Sequence, residues 1–397
     1  SREGWARVWA YPRADSVLAG AALFSILSSA GARPLFSVRV EPPPRIDVPT
    51  VLVGYEWLDY GTGDVESVLA AFAPRIDRPP PPNTVYVDGD GSNAGLVGAV
   101  IAEMGGLYYR RDVMGLVVAG IHYGDKMDKI GKVYGVDEIV VENVLSSGVL
   151  GRVEVLTSVK VYKPLSNTVC RALSVTLNPY YPGFTGDREE CARSLAALGL
   201  ESLASRRVAS LDREDLKLLV KGIVSRAQEE TGREVDVREY VGSLIVSESG
   251  DPEDYRMLAD SIVYALEHSG NPEPAIEAAS SYEDAVPVLE KLLVDGAPLL
   301  ASIVRGQRPR KLKSLPWLRA YLVGPPLVPH TFAWRALVLA GLIDKESVIV
   351  YEGEDGELLA SGLQIEAALG YGELRKLRNV KAVEGDGIRY AVRQREQ

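Results

Sequence analysis

Over its first 121 residues the chain alternates short, mostly apolar segments with longer runs of small residues, and this alternation restricts the fold more than any other feature. Ala6–Ala10, Leu35–Val40, Thr50–Val53 and Thr84–Val87 are each four to six residues long, and turn-forming residues follow or precede them. Between them, Ser16–Ser29 and Ala94–Met104 have the length and composition of helices that pack closely on a sheet. Strands alternating with helices predict an α/β fold with a parallel sheet covered on both faces. Asp64–Ala73 reads as one more helix and Pro79–Pro82 as a stiff extended connector. Met114–Ile121 reads as a buried segment that its apolar run leaves open between helix and strand.

In open α/β sheets ligands bind beyond the carboxyl ends of the strands. The candidate positions are therefore Tyr11–Ser16, Gly54–Trp57, Asp88–Asn93 and the turn His122–Asp128. Common catalytic signatures are missing: there is no Walker loop, no Gly-x-Ser-x-Gly elbow, no His-Glu-x-x-His and no Cys-x-x-Cys. Gly89, Gly91 and Gly95 imitate a dinucleotide loop, but the spacing is one residue too long and Asp90 would repel a pyrophosphate. The three histidines, His122, His268 and His330, leave little for a hydrolase built on an imidazole cluster. Cys170 and Cys191 lack metal-binding spacing and read as two buried thiols, or as a disulfide if the source is a hyperthermophile.

Beyond residue 187 the pattern becomes mostly helical. Leu211–Ala227 and Pro252–His268 carry helical apolar spacing, with Asp212 and Asp251 as caps. Val348–Tyr351 and Leu358–Gly362 flank Glu354-Asp355-Gly356, a hairpin turn signal. These shifts suggest three parts, 1–200, 201–295 and 296–397. The length of 397 residues suits two or three domains, and no apolar run is long enough to span a bilayer. The charged N-terminus is a poor signal peptide, so a cytoplasmic location is expected. A net charge of −10 argues against a surface built only to grip nucleic acid, but the charge is uneven. Asp187–Asp295 carries 24 acidic and 12 basic residues, whereas Gly296–Ile343 carries seven Lys or Arg and no acid. The contrast fits two different partners, or simply two solvated faces.

Taken in order, the strand ends resemble those of the DHH phosphoesterases, the RecJ-like family. Their first motif is His-x-Asp-x-Asp; here it is Tyr11-Pro12-Arg13-Ala14-Asp15, followed by a small-residue helix. Their second motif places an Asp after a strand, where this chain has Gly54, with Glu56 two residues on. The Asp-His-His motif is matched by Asp88-Gly89-Asp90, and the Gly-x-x-x-Asp turn by the stretch from Gly120 through His122 to Asp125. Asn178-Pro179-Tyr180-Tyr181-Pro182-Gly183-Phe184-Thr185-Gly186-Asp187 resembles a stretch of archaeal RecJ-like proteins. The resemblance spans Trp5 to Leu200. It implies a parallel-sheet DHH domain, a helical connector and a smaller α/β DHH-associated domain at the C-terminus.

The resemblance also implies a degenerate metal site at Tyr11, Arg13, Asp15, Gly54, Asp88, Gly89, Asp90 and Asp125. A two-metal centre needs converging carboxylates and imidazoles. Asp15, Asp88 and Asp125 are kept, while the histidines and two acidic positions are not. Arg13 would bring a fixed positive charge among the ligands and would pair with Asp15, Asp88 or Asp125. The expectation is therefore no catalytic residue and no cofactor. The alternative is an active single-strand exonuclease or oligonucleotide phosphoesterase that binds Mn²⁺ or Mg²⁺ through Asp15, Asp88, Asp90, Asp125, Glu56 and His122.

Arg305, Arg308, Arg310, Lys311, Lys313 and Arg319, with Trp317, form a basic stretch. Cations there would neutralise phosphates and the indole would stack on a base of single-stranded DNA; an interdomain linker is the other reading. The chain is similar to archaeal members of the inactive, CDC45-type branch of the RecJ-like family. That resemblance implies a non-catalytic subunit of the replicative helicase, joined to the GINS complex and MCM.

Overall fold

The computed structural model describes residues 4–392 apart from 57–59, 61–63, 76–80, 82, 124–132, 249–251, 307, 316, 325–326, 354–355, 371–373, 375–376, 378–379 and 384–387. It divides into two units. The first contains Ser1–Glu154, Ser247–Pro287 and Glu384–Ile388; the second contains Val155–Val246, Val288–Val383 and Arg389–Gln397.

The first unit is built on a five-stranded parallel sheet of β1 (Trp5–Ala10), β2 (Arg33–Val38), β3 (Thr50–Val53), β4 (Leu69–Phe72) and β5 (Thr84–Val87), in the order β2-β1-β3-β4-β5. Helix α1 (Ala14–Ser29) crosses from β1 to β2, and α2 (Asn93–Met104) follows β5. Small residues let α1 lie directly on the strands: a Cβ on Gly20 would stand 2.8 Å from the Phe36 ring and 3.1 Å from the Ala10 Cβ. Met114–Ile121 is helical, within α3 (Arg111–His122), which packs against α1 and α2; α4 (Val136–Ser147) packs on α2. Gly98 has the same role between helices, since its Cβ would meet Val117 at 2.6 Å and Val140 at 2.9 Å. The helix Tyr255–Ser269 completes this core, buried along nearly its whole length and packed against α3. Its N-cap is Asp254, which accepts from Arg256 and Met257; the anticipated cap, Asp251, lies outside the described residues.

One segment of the first unit departs from expectation. Asp64–Ala73, read as a helix, contains strand β4 instead. Leu69-Ala-Ala-Phe72 is an uninterrupted apolar run in an interior strand of a parallel sheet, where strands need not alternate, and its two alanines imitate helix composition.

The second unit holds the helix Arg213–Thr231, capped by Asp212 as expected, and the helices Val169–Val175 and Arg188–Ala197. Val241–Ser247, within the segment read as mostly helical, is a strand paired with Val153–Val159 in a two-stranded sheet. A six-stranded mixed sheet contains the predicted hairpin, Val348–Glu352 antiparallel to Leu358–Ser361, with Arg310–Lys311 as an edge strand. The turn residues Glu354 and Asp355 lie outside the described residues. Among the described residues no helix is long and apolar enough to cross a membrane.

Candidate functional site

The strand order reverses at β1, with β2 on one side and β3 on the other. In a doubly wound sheet, that reversal opens a crevice at the carboxyl ends of β1 and β3, the usual ligand site. Here the crevice is closed by its own residues. Tyr11 is 1% exposed and meets Tyr55 edge to face, with ring centroids 5.6 Å apart. The Tyr55 hydroxyl donates to the Arg39 carbonyl at 2.7 Å. Gly54 has φ +85°, and a Cβ there would lie 2.2 Å from Ser16 Oγ, 2.9 Å from Ser16 Cβ and 3.2 Å from Tyr11 Cβ. No side chain of any kind fits at position 54 without displacing the start of α1.

Arg13 lies between Asp15, one of its three anticipated partners, and Glu56, which was not among them. Its Nε is 3.8 Å from Asp15 Oδ1 and its Nη1 is 3.4 Å from Glu56 Oε1. The second contact makes Glu56 a partner of the guanidinium.

The N-terminus of α2 is the second part of the site. A helix start presents unpaired N–H groups and a partial positive charge, which favour an anion. Two carboxylates of the protein itself take that place. Asp15, 4% exposed, accepts at Oδ2 from the Asn93 N–H at 3.1 Å and from Asn93 Nδ2 at 2.8 Å. Asp137, equally buried at the start of α4, accepts at Oδ1 from the Ser92 N–H and from Ser92 Oγ, both at 2.9 Å. Ser92 in turn caps α2 by accepting from the Gly95 N–H at 3.0 Å. Gly91 and Gly95 are the clearance for Asp137: a Cβ at 95 would fall 1.8 Å, and one at 91 3.0 Å, from its Oδ1. The glycine spacing that imitates a nucleotide loop therefore surrounds an internal carboxylate. Asn93 Oδ1 is buried and has no hydrogen-bond partner among the described residues.

Of the remaining site positions, Asp88 and Asp90 are exposed beyond β5. Asp90 accepts from the Tyr134 hydroxyl at 3.0 Å, and its carbonyl takes the Val136 N–H. Gly89 packs on Leu96, where a Cβ would stand 3.2 Å away. His122 is buried in the last turn of α3. Asp125 lies outside the described residues. Tyr11, Arg13, Asp15 and Gly54 therefore gather at the switch point, Asp15 also reaches α2, and Asp88 and Asp90 lie beyond β5. Among the described residues no three His, Cys, Asp or Glu side chains converge as a metal site. Asn93 closes the candidate window Asp88–Asn93, whereas Asp137 lies outside every candidate window, and only the glycines at 91 and 95 hinted at it.

The Asn178–Asp187 stretch belongs to the second unit and builds its core. Tyr180, Tyr181 and Phe184 are fully buried, and Tyr181 stacks on Tyr240 with centroids 5.1 Å apart. Thr185 Oγ1 accepts from the Tyr181 N–H at 2.9 Å and donates to the Thr176 carbonyl at 3.0 Å. Burial pushes the Tyr180 hydroxyl up to about 12, so it stays protonated. Asp187 caps the next helix by accepting from Glu189 at 2.7 Å and Glu190 at 3.2 Å, and these N–H groups hold its carboxyl below the ordinary range. Cys170 and Cys191 are joined as a disulfide across this stretch, with Cα atoms 5.5 Å apart, so the reading as two thiols is replaced by the bridge.

The basic stretch divides by environment. Arg305 pairs with Glu190 at 2.5 Å and donates to the Thr185 carbonyl at 3.3 Å. Arg319 lies 3.6 Å from Asp344 and 3.9 Å from Glu346. Trp317 is half-buried, and its indole nitrogen is enclosed. Arg308, Arg310, Lys311 and Lys313 are exposed, and none has a carboxylate partner among the described residues.

No family model matches the sequence, and no curated protein does. Solved structures do match. The crystal structure of CDC45 from Entamoeba histolytica superposes with a TM-score of 0.61 at 8% identity, covering 98% of this chain and 92% of that one. RecJ from Thermus thermophilus in complex with Mn²⁺ gives 0.40 at 15% identity, covering 99% of this chain and 50% of that one. Exonuclease RecJ bound to manganese gives 0.41 at 14% identity, covering 99% and 86%. The RecJ superpositions are too loose to carry an argument, and 8% identity speaks for architecture alone. The chain accordingly shares the overall fold of the CDC45 structure, an α/β architecture with a five-stranded parallel sheet, as the alternation of strands and helices predicts.

Proposed function

We propose that this chain is a non-catalytic RecJ-like subunit of a replicative helicase, a scaffold beside GINS and MCM that also contacts single-stranded DNA. The observation that carries the reading is the closed switch point. Position 54, where the family's motif needs a carboxylate, has no room for a Cβ. Arg13 puts a fixed cation 3.8 Å from Asp15, and Asp15 is already accepting from Asn93. Two divalent ions about 4 Å apart would lack ligands from both β1 and β3, so these residues fit such a pair poorly. The likeness to CDC45 supports a structural use of the same fold.

For DNA, the four exposed cations Arg308, Arg310, Lys311 and Lys313 are the contacts we favour. Arg305 and Arg319 contribute less because carboxylates already face them. Trp317 would have to turn outward to stack on a base. The test is copurification: a tagged full chain captured from source extract, with GINS and MCM quantified by mass spectrometry. Near-stoichiometric GINS is expected. Its absence, with the bait folded and abundant, contradicts the proposal.

A further inference from the structure

The helix Arg213–Thr231 in the second unit has a face that its own core does not fully cover. Leu216, Val220 and Val224 recur every fourth residue, with Gln228 next in line. They line an open groove of about 690 Å³ together with Val237 and Val241. The three helix residues touch the core from one side and the groove from the other. Val237, on the opposite wall, is 44% exposed. At 1.5 Å per residue, Leu216 to Gln228 spans about 18 Å, or three helical turns.

The rim of this groove is cationic. The groove lining carries Lys217, Lys221 and Arg238 and no carboxylate. Lys217 and Arg238 have neighbours just outside, Glu214 at 2.7 Å and Asp236 at 2.6 Å, while Lys221 has none among the described residues. Pairs this exposed contribute little and can exchange partners. An apolar slot three turns long with a cationic rim is complementary to one kind of ligand, a short amphipathic helix with apolar residues on one face and Asp or Glu beside them.

We propose that this groove docks an acidic amphipathic helix of a partner protein. The assignment rests on the groove alone and stands whether or not the helicase reading does. The experiment pans a displayed library of helix-forming peptides, about four turns long, against the full chain. A selected peptide is then fluorescently labelled and titrated against the wild type, Lys221→Glu and Val237→Asp. Both substituted side chains are exposed or nearly so, and circular dichroism verifies that each variant is folded. The expected result is enrichment of sequences with apolar residues at i, i+4 and i+7 and acids between them. Each variant should weaken binding by about tenfold, as loss of one anchor or rim charge does, and Lys221→Glu should flatten the salt dependence. Enrichment of basic peptides, no enrichment, or equal affinity for all three proteins overturns the proposal. So does displacement of the peptide by decanoate at equal occupancy, which would make the groove an acyl-chain site. So does a dimer in light scattering that both variants dissociate, which would make the occupant a second copy.

Discussion

Replacing Gly54 with alanine perturbs the contact on which the functional reading depends. Two costs follow from the geometry. The backbone at φ +85° lies where an L side chain is strained, worth about 1–2 kcal/mol. The added Cβ would also stand 2.2 Å from Ser16 Oγ and 2.9 Å from Ser16 Cβ. Ser16 is buried in the first turn of α1 and cannot swing away, so the overlap costs a further 1–3 kcal/mol or so, as overpacking does. The expected destabilisation is about 2–5 kcal/mol. Equilibrium urea unfolding, followed by the fluorescence of the tryptophans and by hydrogen exchange at β1 and β3, measures it. The exchange data matter because two units need not unfold together. The double variant Gly54→Ala/Ser16→Gly separates the terms: removing the serine side chain should recover the overlap cost but not the backbone cost. If Gly54→Ala lies within about 0.5 kcal/mol of wild type, the usual range for an unconstrained surface site, position 54 has room for a side chain and the closed switch point is wrong.

Other consequences follow from the same structure. Asp187→Ala should cost about 1 kcal/mol through loss of the helix cap. The Asp187 carboxyl is held below its ordinary value by the Glu190 and Glu189 N–H groups, so its contribution is complete above about pH 4 and fades as pH falls through the lowered folded-state value. The gap between wild-type and variant denaturation midpoints should therefore narrow in acid. Reducing the Cys170–Cys191 bridge should lower stability by about 2–4 kcal/mol, while a Cys170→Ala/Cys191→Ala protein should show no response to reductant in the same unfolding assay. Charge reversal at Arg308, Arg310 and Lys311 should weaken single-strand binding in a fluorescence titration and flatten its salt dependence. Arg305→Ala should instead leave DNA affinity nearly unchanged and lower thermal stability, because its guanidinium serves Glu190 and the Thr185 carbonyl.

How much of this was legible in the sequence depended on how local each signal was. Strands β1, β3 and β5 announced themselves because each is a short apolar run closed by a turn residue. Strand β4 did not, since Leu69-Ala-Ala-Phe72, between two strands of the sheet, has neither alternation nor β-branched residues, and only its neighbours make it a strand. The Val241–Ser247 strand, by contrast, carries branched apolar residues that a closer local reading would have found. Arg13 beside Asp15 was anticipated through the motif resemblance, which puts both at ligand positions after β1; Glu56 as the second partner was not. The pairing of Asp137 with Ser92 could not, because 45 residues separate them and a lone Asp in a helix's first turn has no distinctive spacing. The Asn178–Asp187 stretch stood out in the sequence only as a resemblance; its work, a buried aromatic and hydroxyl network with Asp187 as a cap, appears only once the chain is folded. The basic stretch was visible as charge; its division into engaged and available cations needed the positions of Glu190 and Asp344.

The most direct test of the central claim is a Mn²⁺-dependent nuclease assay on 5′- and 3′-labelled single-stranded DNA, with Asp88→Ala prepared alongside. A non-catalytic scaffold predicts no cleavage above a buffer control from either protein, together with no tight Mn²⁺ binding by isothermal titration. Robust cleavage by the wild type that is abolished in Asp88→Ala, or two tight Mn²⁺ sites, would contradict the account.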